Sequence, residues 1–122
     1  RGGELRPRKG MNAPTAERHI EPFTDRDAAA LEMAFALKAD FIGLSFIRTA
    51  TDIEQIRMRL PRRGHRPALI AKIETAAALN DLDAIVATSD AVMVARGDLG
   101  IQVPARQVPL SWYEISRRYS LG

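Results

Sequence analysis

The sequence predicts an α/β fold built on a parallel sheet, and three observations carry that prediction. Three short, almost continuously apolar runs, "DFIGLSF", "PALIAKI" and "DAVMVA", have the character of buried strands. The stretches between them place apolar residues at helical spacing. The runs recur at intervals of roughly 25 residues, the beat of repeated βα units.

Residues 1–22 are rich in Gly, Pro and Arg and lack apolar periodicity, so they read as an extended or irregular leading segment. Residues 23–122 form the α/β unit. It opens with "FTDRDAAALEMAFALKAD", where Thr24 and Asp27 make a capping box. Ala28, Leu31, Ala34, Phe35 and Lys38 follow at helical spacing, with Leu37 close to that face. "DFIGLSF" then reads as a strand covered on both faces. "ATDIEQIRMRL" spaces Ile53, Ile56 and Leu60 at i, i+3 and i+7, a helix closed by Pro61. "PALIAKI" is the second strand, running into Lys72 and Glu74. "TAAALNDLDAIVATS" is an alanine-rich helix broken near Asn80 and Asp81. "DAVMVA" is the third strand, and "ARQVPLSWYEISRRYSLG" is a closing helix with Val108 at its start and Gly122 past its end. The apolar runs are not near-copies of one another, so the repetition is architectural.

The 122 residues have the length of one ordinary domain, and 46% hydrophobic with 27% charged residues is a globular composition. The chain has no cysteine, which removes disulfides and thiolate metal sites and fits a reducing, cytoplasmic setting. No apolar stretch approaches the ~20 residues that span a bilayer. "RGGELRPRKG" has no apolar run behind its charges, so no secretory signal is expected. The first residue is Arg1 rather than methionine, which points to a processed, truncated or excised chain. The net charge of +3 is concentrated in residues 1–9 and in "RMRLPRRGHR", residues 57–66. Neither cluster interleaves aromatics, so both read as solvated helix ends and loops, with no nucleic-acid or membrane partner.

Ligands of parallel α/β sheets bind outside the carboxyl ends of the strands. Here those ends carry Ser45 and Arg48, Lys72 and Glu74, and Arg96 and Asp98. Glu74 and Asp98 are hard oxygen donors suited to Mg²⁺ or Mn²⁺. Lys72 and Glu74 alternate along a strand and so point to one side. A lysine there is a compact cation for a phosphoryl group or an enolate. Gly97 lets backbone amides approach an anion. Plainer readings stand beside these. Lys72 and Glu74 make a strand-end ion pair, Arg48 and Arg96 pair with carboxylates across loops, and Ser45 is a small packing residue or bonds nearby backbone. His19 and His65 are surface residues, and Trp112 and Tyr113 are packing or interface residues of the last helix. Spacing alone specifies a divalent-cation α/β site for a small anion.

"GGELRPRKGMNAP", "LSFIRTATDI", "LIAKIE", "SDAVMVARGDLG" and "VPARQVPL" resemble, in order and spacing, the pyruvate kinase family. "KIE" and "MVARGDLG" carry the likeness most strongly, and "ETAAALNDLDAI" resembles a bacterial variant and also the citrate-lyase-like barrel aldolases. The resemblance implies a partial (β/α)₈ TIM barrel with about three parallel strands. It implies transfer of the phosphoryl group of phosphoenolpyruvate to ADP, giving pyruvate and ATP. By that likeness Lys72 stabilises the phosphoryl group in flight, and Glu74 and Asp98 hold Mg²⁺ or Mn²⁺. Ala95, Arg96, Gly97 and Asp98 form the turn against the substrate, with the Gly97 and Asp98 amides facing its carboxylate. Ser45, Phe46 and Arg48 form the supporting strand end. The opening "GGELRPRKGMNAP" resembles the return from the family's lid domain.

The resemblance places the K⁺ ligands, a phosphate-binding arginine, the lid and a threonine-bearing strand outside these residues. A complete barrel takes roughly 250 residues, and three strands cut from one leave two unpaired edges and exposed apolar faces, so the chain is expected to be part of a larger polypeptide, a homo-oligomer or a remnant gene product, and inactive alone. Thr15 stands where the family usually has glycine, Gln102 where it has glutamate, and Trp112 with Tyr113 where a glutamine-lysine pair begins the helix. The alternatives are a non-catalytic Mg²⁺ and 2-oxo-acid-binding or assembly module, and an aldolase of the related barrels.

Overall fold

The computed structural model describes residues 23–104 and residue 113. The chain order is α1 (Asp25–Ala36), β1 (Phe41–Leu44), α2 (Ala50–Arg57), β2 (Ala68–Ile73), α3 (Ala76–Asn80), α4 (Leu82–Thr88), β3 (Ala91–Val94) and α5 (Arg96–Gln102). The strands form one parallel sheet in the order β1-β2-β3. Phe41 pairs with Ala68, and Ile70 with Ala91, so the three carboxyl ends lie at the same edge. This is the predicted α/β architecture of parallel strands and flanking helices.

Local chemistry explains most boundaries. Thr24 caps α1: its Oγ1 accepts from the Asp27 N–H at 3.3 Å, and the Asp27 carboxylate accepts from the Thr24 N–H at 2.9 Å. The Thr24 hydroxyl, which donates to the Asp27 carboxylate at 2.7 Å, and after it the Thr24 N–H hold the Asp27 carboxyl below its ordinary pKa. Helix α2 stops at Arg57, short of Pro61, yet Leu60 beyond its end is still buried. The alanine-rich segment is broken at Asp81, as its sequence predicts, into α3 and α4.

Period-2 burial along β2 is strict, with Leu69, Ala71 and Ile73 fully buried and Ala68, Ile70 and Lys72 half-buried. Leu69, Ala71 and Ile73 join Ile53 and Ile56 of α2, Ala78 of α3 and Ile85 of α4 in one apolar cluster. The opposite face is open, as expected of three strands cut from a barrel and not of a strand covered on both faces. Phe41 is 65% exposed and Met93 51%, so β1 and β3 are covered on one face only among the described residues. Apolar runs signal strands but do not say what lies over each face. A second difference follows β3, where the expected glycine turn is the start of α5. The predicted closing helix lies outside the described residues apart from Tyr113, which is exposed.

The amino-terminal edge of the sheet is tied by Asp90. Its Oδ2 accepts from the Leu69 N–H at 2.7 Å and from Arg57 Nη2 at 3.0 Å, and Arg57 also donates to the Thr88 carbonyl. Burial opposes ionisation of Asp90, but the Leu69 N–H and the Arg57 guanidinium outweigh it and hold the carboxyl below its ordinary value. A depressed carboxyl stabilises the fold above its unfolded pKa and loses that contribution as pH falls through the folded one. Asp90→Ala should therefore cost about 1 kcal/mol at neutral pH, less than a buried hydrogen bond to a charged group because the Asp90 side chain is 41% exposed and its charge is screened. The gap from wild type in urea unfolding should close below the ordinary aspartate pKa of 3.8. A gap that is constant into acid would show that the charge contributes nothing.

Candidate functional site

The carboxyl ends of β1 and β2 build one connected polar cluster. Alternation along β2 turns Ile73 into the apolar cluster and leaves Lys72 and Glu74 on the other side. The Lys72 stem passes Gly43 on β1, where an added Cβ would sit 3.8 Å from Lys72 Cδ. Lys72 Nζ lies 2.6 Å from Glu74 Oε1 and donates to Ser45 Oγ at 2.9 Å. The other carboxylate oxygen, Glu74 Oε2, accepts the Phe46 N–H at 2.8 Å. The Glu74 side chain is 1% exposed and that of Lys72 29%, so the carboxylate has exchanged its water for these donors.

Of the predicted residues, the structure thus joins Ser45, Phe46, Lys72 and Glu74. Ser45 is exposed, and its hydroxyl serves Lys72 instead of packing or bonding backbone. Lys72 and Glu74 do form the strand-end ion pair. Arg48 pairs locally, at 3.3 Å with Asp52 four residues on, and not across loops. Its backbone N–H also donates to Asp52, whose carboxylate accepts from the Thr49 N–H at the start of α2. His65 is exposed, its Nε2 2.7 Å from the Ala39 carbonyl oxygen.

Two contributors were not read from the sequence. Thr75 accepts from the Ala78 N–H to cap α3 and donates to the Ile47 carbonyl, joining the two strand ends. A threonine immediately before "AAAL" is an N-cap signal that pattern reading can find. Asp81 accepts from the Ala50 N–H at 2.7 Å, across 31 positions, and no local pattern announces that contact.

On β3, the Ala95 N–H donates to the Ile73 carbonyl at 3.1 Å, which seats the segment beside the cluster. Arg96, Gly97 and Asp98 are exposed in the first turn of α5. Gly97 has no left-handed backbone there, and a Cβ on it would meet nothing within 4 Å. No described hydrogen bond or ion pair links these three to Lys72 or Glu74.

The donor chemistry fits a hard divalent cation. Among the described residues no group of three His, Asp or Glu side chains could hold a metal. Magnesium usually takes only one or two carboxylates and completes its shell with water and substrate. Glu74 has the required chemistry, and Asp98, exposed in the first turn of α5, is a carboxylate of the same kind beyond the neighbouring strand. No described helix is long and apolar enough to cross a membrane.

Comparison with known proteins bears on the same residues. The family model "Pyruvate kinase, barrel domain" matches residues 1–120. The chain is 46% identical over 121 residues to a pyruvate kinase of Agrobacterium vitis, covering 99% of this chain and 24% of that protein. It is 38% identical over 122 residues to a pyruvate kinase of Thermotoga maritima, covering 98% and 26%. A pyruvate kinase of Corynebacterium glutamicum is 40% identical over 109 residues, covering 89% and 23%. The chain spans about a quarter of the length of these relatives.

Proposed function

The chain belongs to the pyruvate kinase family, and from that premise we propose that it carries the divalent-cation and pyruvate half of a phosphoenolpyruvate–ADP phosphotransfer site. The observation that carries this reading is a carboxylate 1% exposed, paired at 2.6 Å with an ammonium, at the carboxyl end of a parallel strand. Structural ion pairs are usually placed where both partners keep contact with water. This one is dehydrated on the acid side and open on the lysine side.

Glu74 and Asp98 would hold Mg²⁺ or Mn²⁺. Bound there, the cation would supply positive charge to enolate and phosphoryl oxygens. Lys72 would direct its ammonium at the phosphoryl group, steadied by Ser45. The Gly97 and Asp98 amides would face the substrate carboxylate from the first turn of α5. Such a reaction depends on positioning and charge, and needs no covalent nucleophile from the protein. An aldolase reading has less support, because an ammonium beside the acid suits a phosphoryl group better than an acyl thioester.

Calorimetric titration with Mn²⁺ and oxalate, an analogue of pyruvate enolate, tests the site. The 122-residue chain should bind both, and Glu74→Gln or Asp98→Ala should each weaken binding at least tenfold. No heat with the wild-type chain would remove the reading. The same chain should give no measurable ADP-dependent pyruvate formation, because it spans only about a quarter of its relatives. Robust turnover would overturn the half-site proposal.

A further inference from the structure

Phe46 is left-handed at φ +56°, one of two non-glycine residues described with positive φ. Bulky side chains resist that region, and outliers of this kind concentrate where surrounding contacts hold them for a purpose. Burial of the ring does not explain it, since Phe46 is 62% exposed. The backbone around it does. Three successive residues each grip the end of β2: Ser45 Oγ accepts from Lys72, the Phe46 N–H donates to Glu74 Oε2, and the Ile47 carbonyl accepts from Thr75 Oγ1 at 3.1 Å. Ile47 is then 4% exposed, turned into the core. An extended residue at 46 would carry the chain onward along the strand, whereas the left-handed residue bends it between these contacts.

We infer that Phe46 is a positioning residue, whose left-handed backbone holds the Glu74 carboxylate in a single orientation for a divalent cation. The inference rests on the reading of Glu74 as a metal-facing carboxylate. With Oε2 fixed by a backbone donor and Oε1 by Lys72, the carboxylate plane cannot rotate, and its remaining lone pairs keep one direction. Partners that orient a ligand in this way usually matter to metal affinity nearly as much as the ligand does.

The test separates backbone conformation from the ring. Glycine adopts positive φ freely and asparagine tolerates it, while β-branched valine is the poorest occupant. Mn²⁺ affinity, read by electron paramagnetic resonance, should remain within about twofold of wild type in Phe46→Gly and Phe46→Asn. It should fall tenfold or more in Phe46→Val. Thermal unfolding of each variant is measured alongside, because a merely structural role would make affinity follow Tm or loss of the ring. Wild-type affinity in Phe46→Val, or equal losses in all three, would overturn the inference. Amide exchange at Phe46 keeps its failure distinct from failure of the metal reading. If the wild-type chain binds no Mn²⁺, a Phe46 amide that is protected and becomes labile in Glu74→Met still supports the positioning contact. A Phe46 amide unprotected in wild type would overturn it.

Discussion

Lys72→Met should destabilise the chain by about 3 kcal/mol, more than Glu74→Gln, which should cost about 1–2 kcal/mol. The asymmetry follows from the burial of the two partners. Glu74 is 1% exposed and the Lys72 side chain 29%. Without Lys72, a dehydrated carboxylate keeps one backbone donor from Phe46 and has no counter-ion. Breaking a buried pair by removing one partner leaves an uncompensated charge, and methionine keeps the stem without the ammonium. Without the acid, by contrast, the lysine still has Ser45 and can turn its ammonium into water. The lower end of the buried-pair range applies because Lys72 is partly solvated. Urea unfolding of the two single variants and the double variant measures the coupling, and the double variant should be more stable than Lys72→Met. If Glu74→Gln costs more than Lys72→Met, the carboxylate is not the dehydrated member of the pair.

Patterns confined to one element were legible in the sequence. "PALIAKI" announces the alternation of β2, and with it the shared side of Lys72 and Glu74, because period-2 burial is set by strand geometry alone. Thr24 and Asp27 announce the start of α1, and Asn80 with Asp81 the break between α3 and α4. The misreadings arise where tertiary contacts override local signals. Gly97 suggests a turn, yet the segment from Arg96 is helical, seated through the Ala95 bond to Ile73. Arg48 has an acid four residues on, yet its sequence context suggests a partner across loops, because a strand end does not reveal that a helix begins at once. Phe46 gives no signal at all. A phenylalanine predicts extended backbone, and the left-handed one accompanies the contacts that residues 45–47 make with the end of β2. Coverage of the sheet is equally illegible, since the apolar character of Phe41 and Met93 records what a face prefers and not what rests on it.

Leu69→Ala should have the largest effect on folding, a loss of about 3–5 kcal/mol. Leu69 is 0% exposed on the central strand and belongs to the cluster that includes Ile53, Ile56 and Ile85. Helices α2 and α4 and strand β2 all supply that cluster, so a cavity there cannot be closed by moving one free edge. The backbone resists collapse as well, because the Leu69 N–H donates to the Asp90 carboxylate and its carbonyl accepts the Asp90 N–H at 3.0 Å. A domain of this size has a total stability of roughly 0.05–0.15 kcal/mol per residue, so the loss removes much of it. Lys72 and Glu74 lie on and just past the same strand, so Mn²⁺ binding should disappear at the urea concentration that unfolds the chain. Two controls distinguish cavity from chemistry. Leu69→Met, which nearly conserves volume, should cost less than about 1.5 kcal/mol, and Leu37→Ala, at a position 73% exposed, less than about 0.5. Equal losses from Leu69→Ala and Leu37→Ala would mean that the cluster beneath β2 does not hold the sheet together.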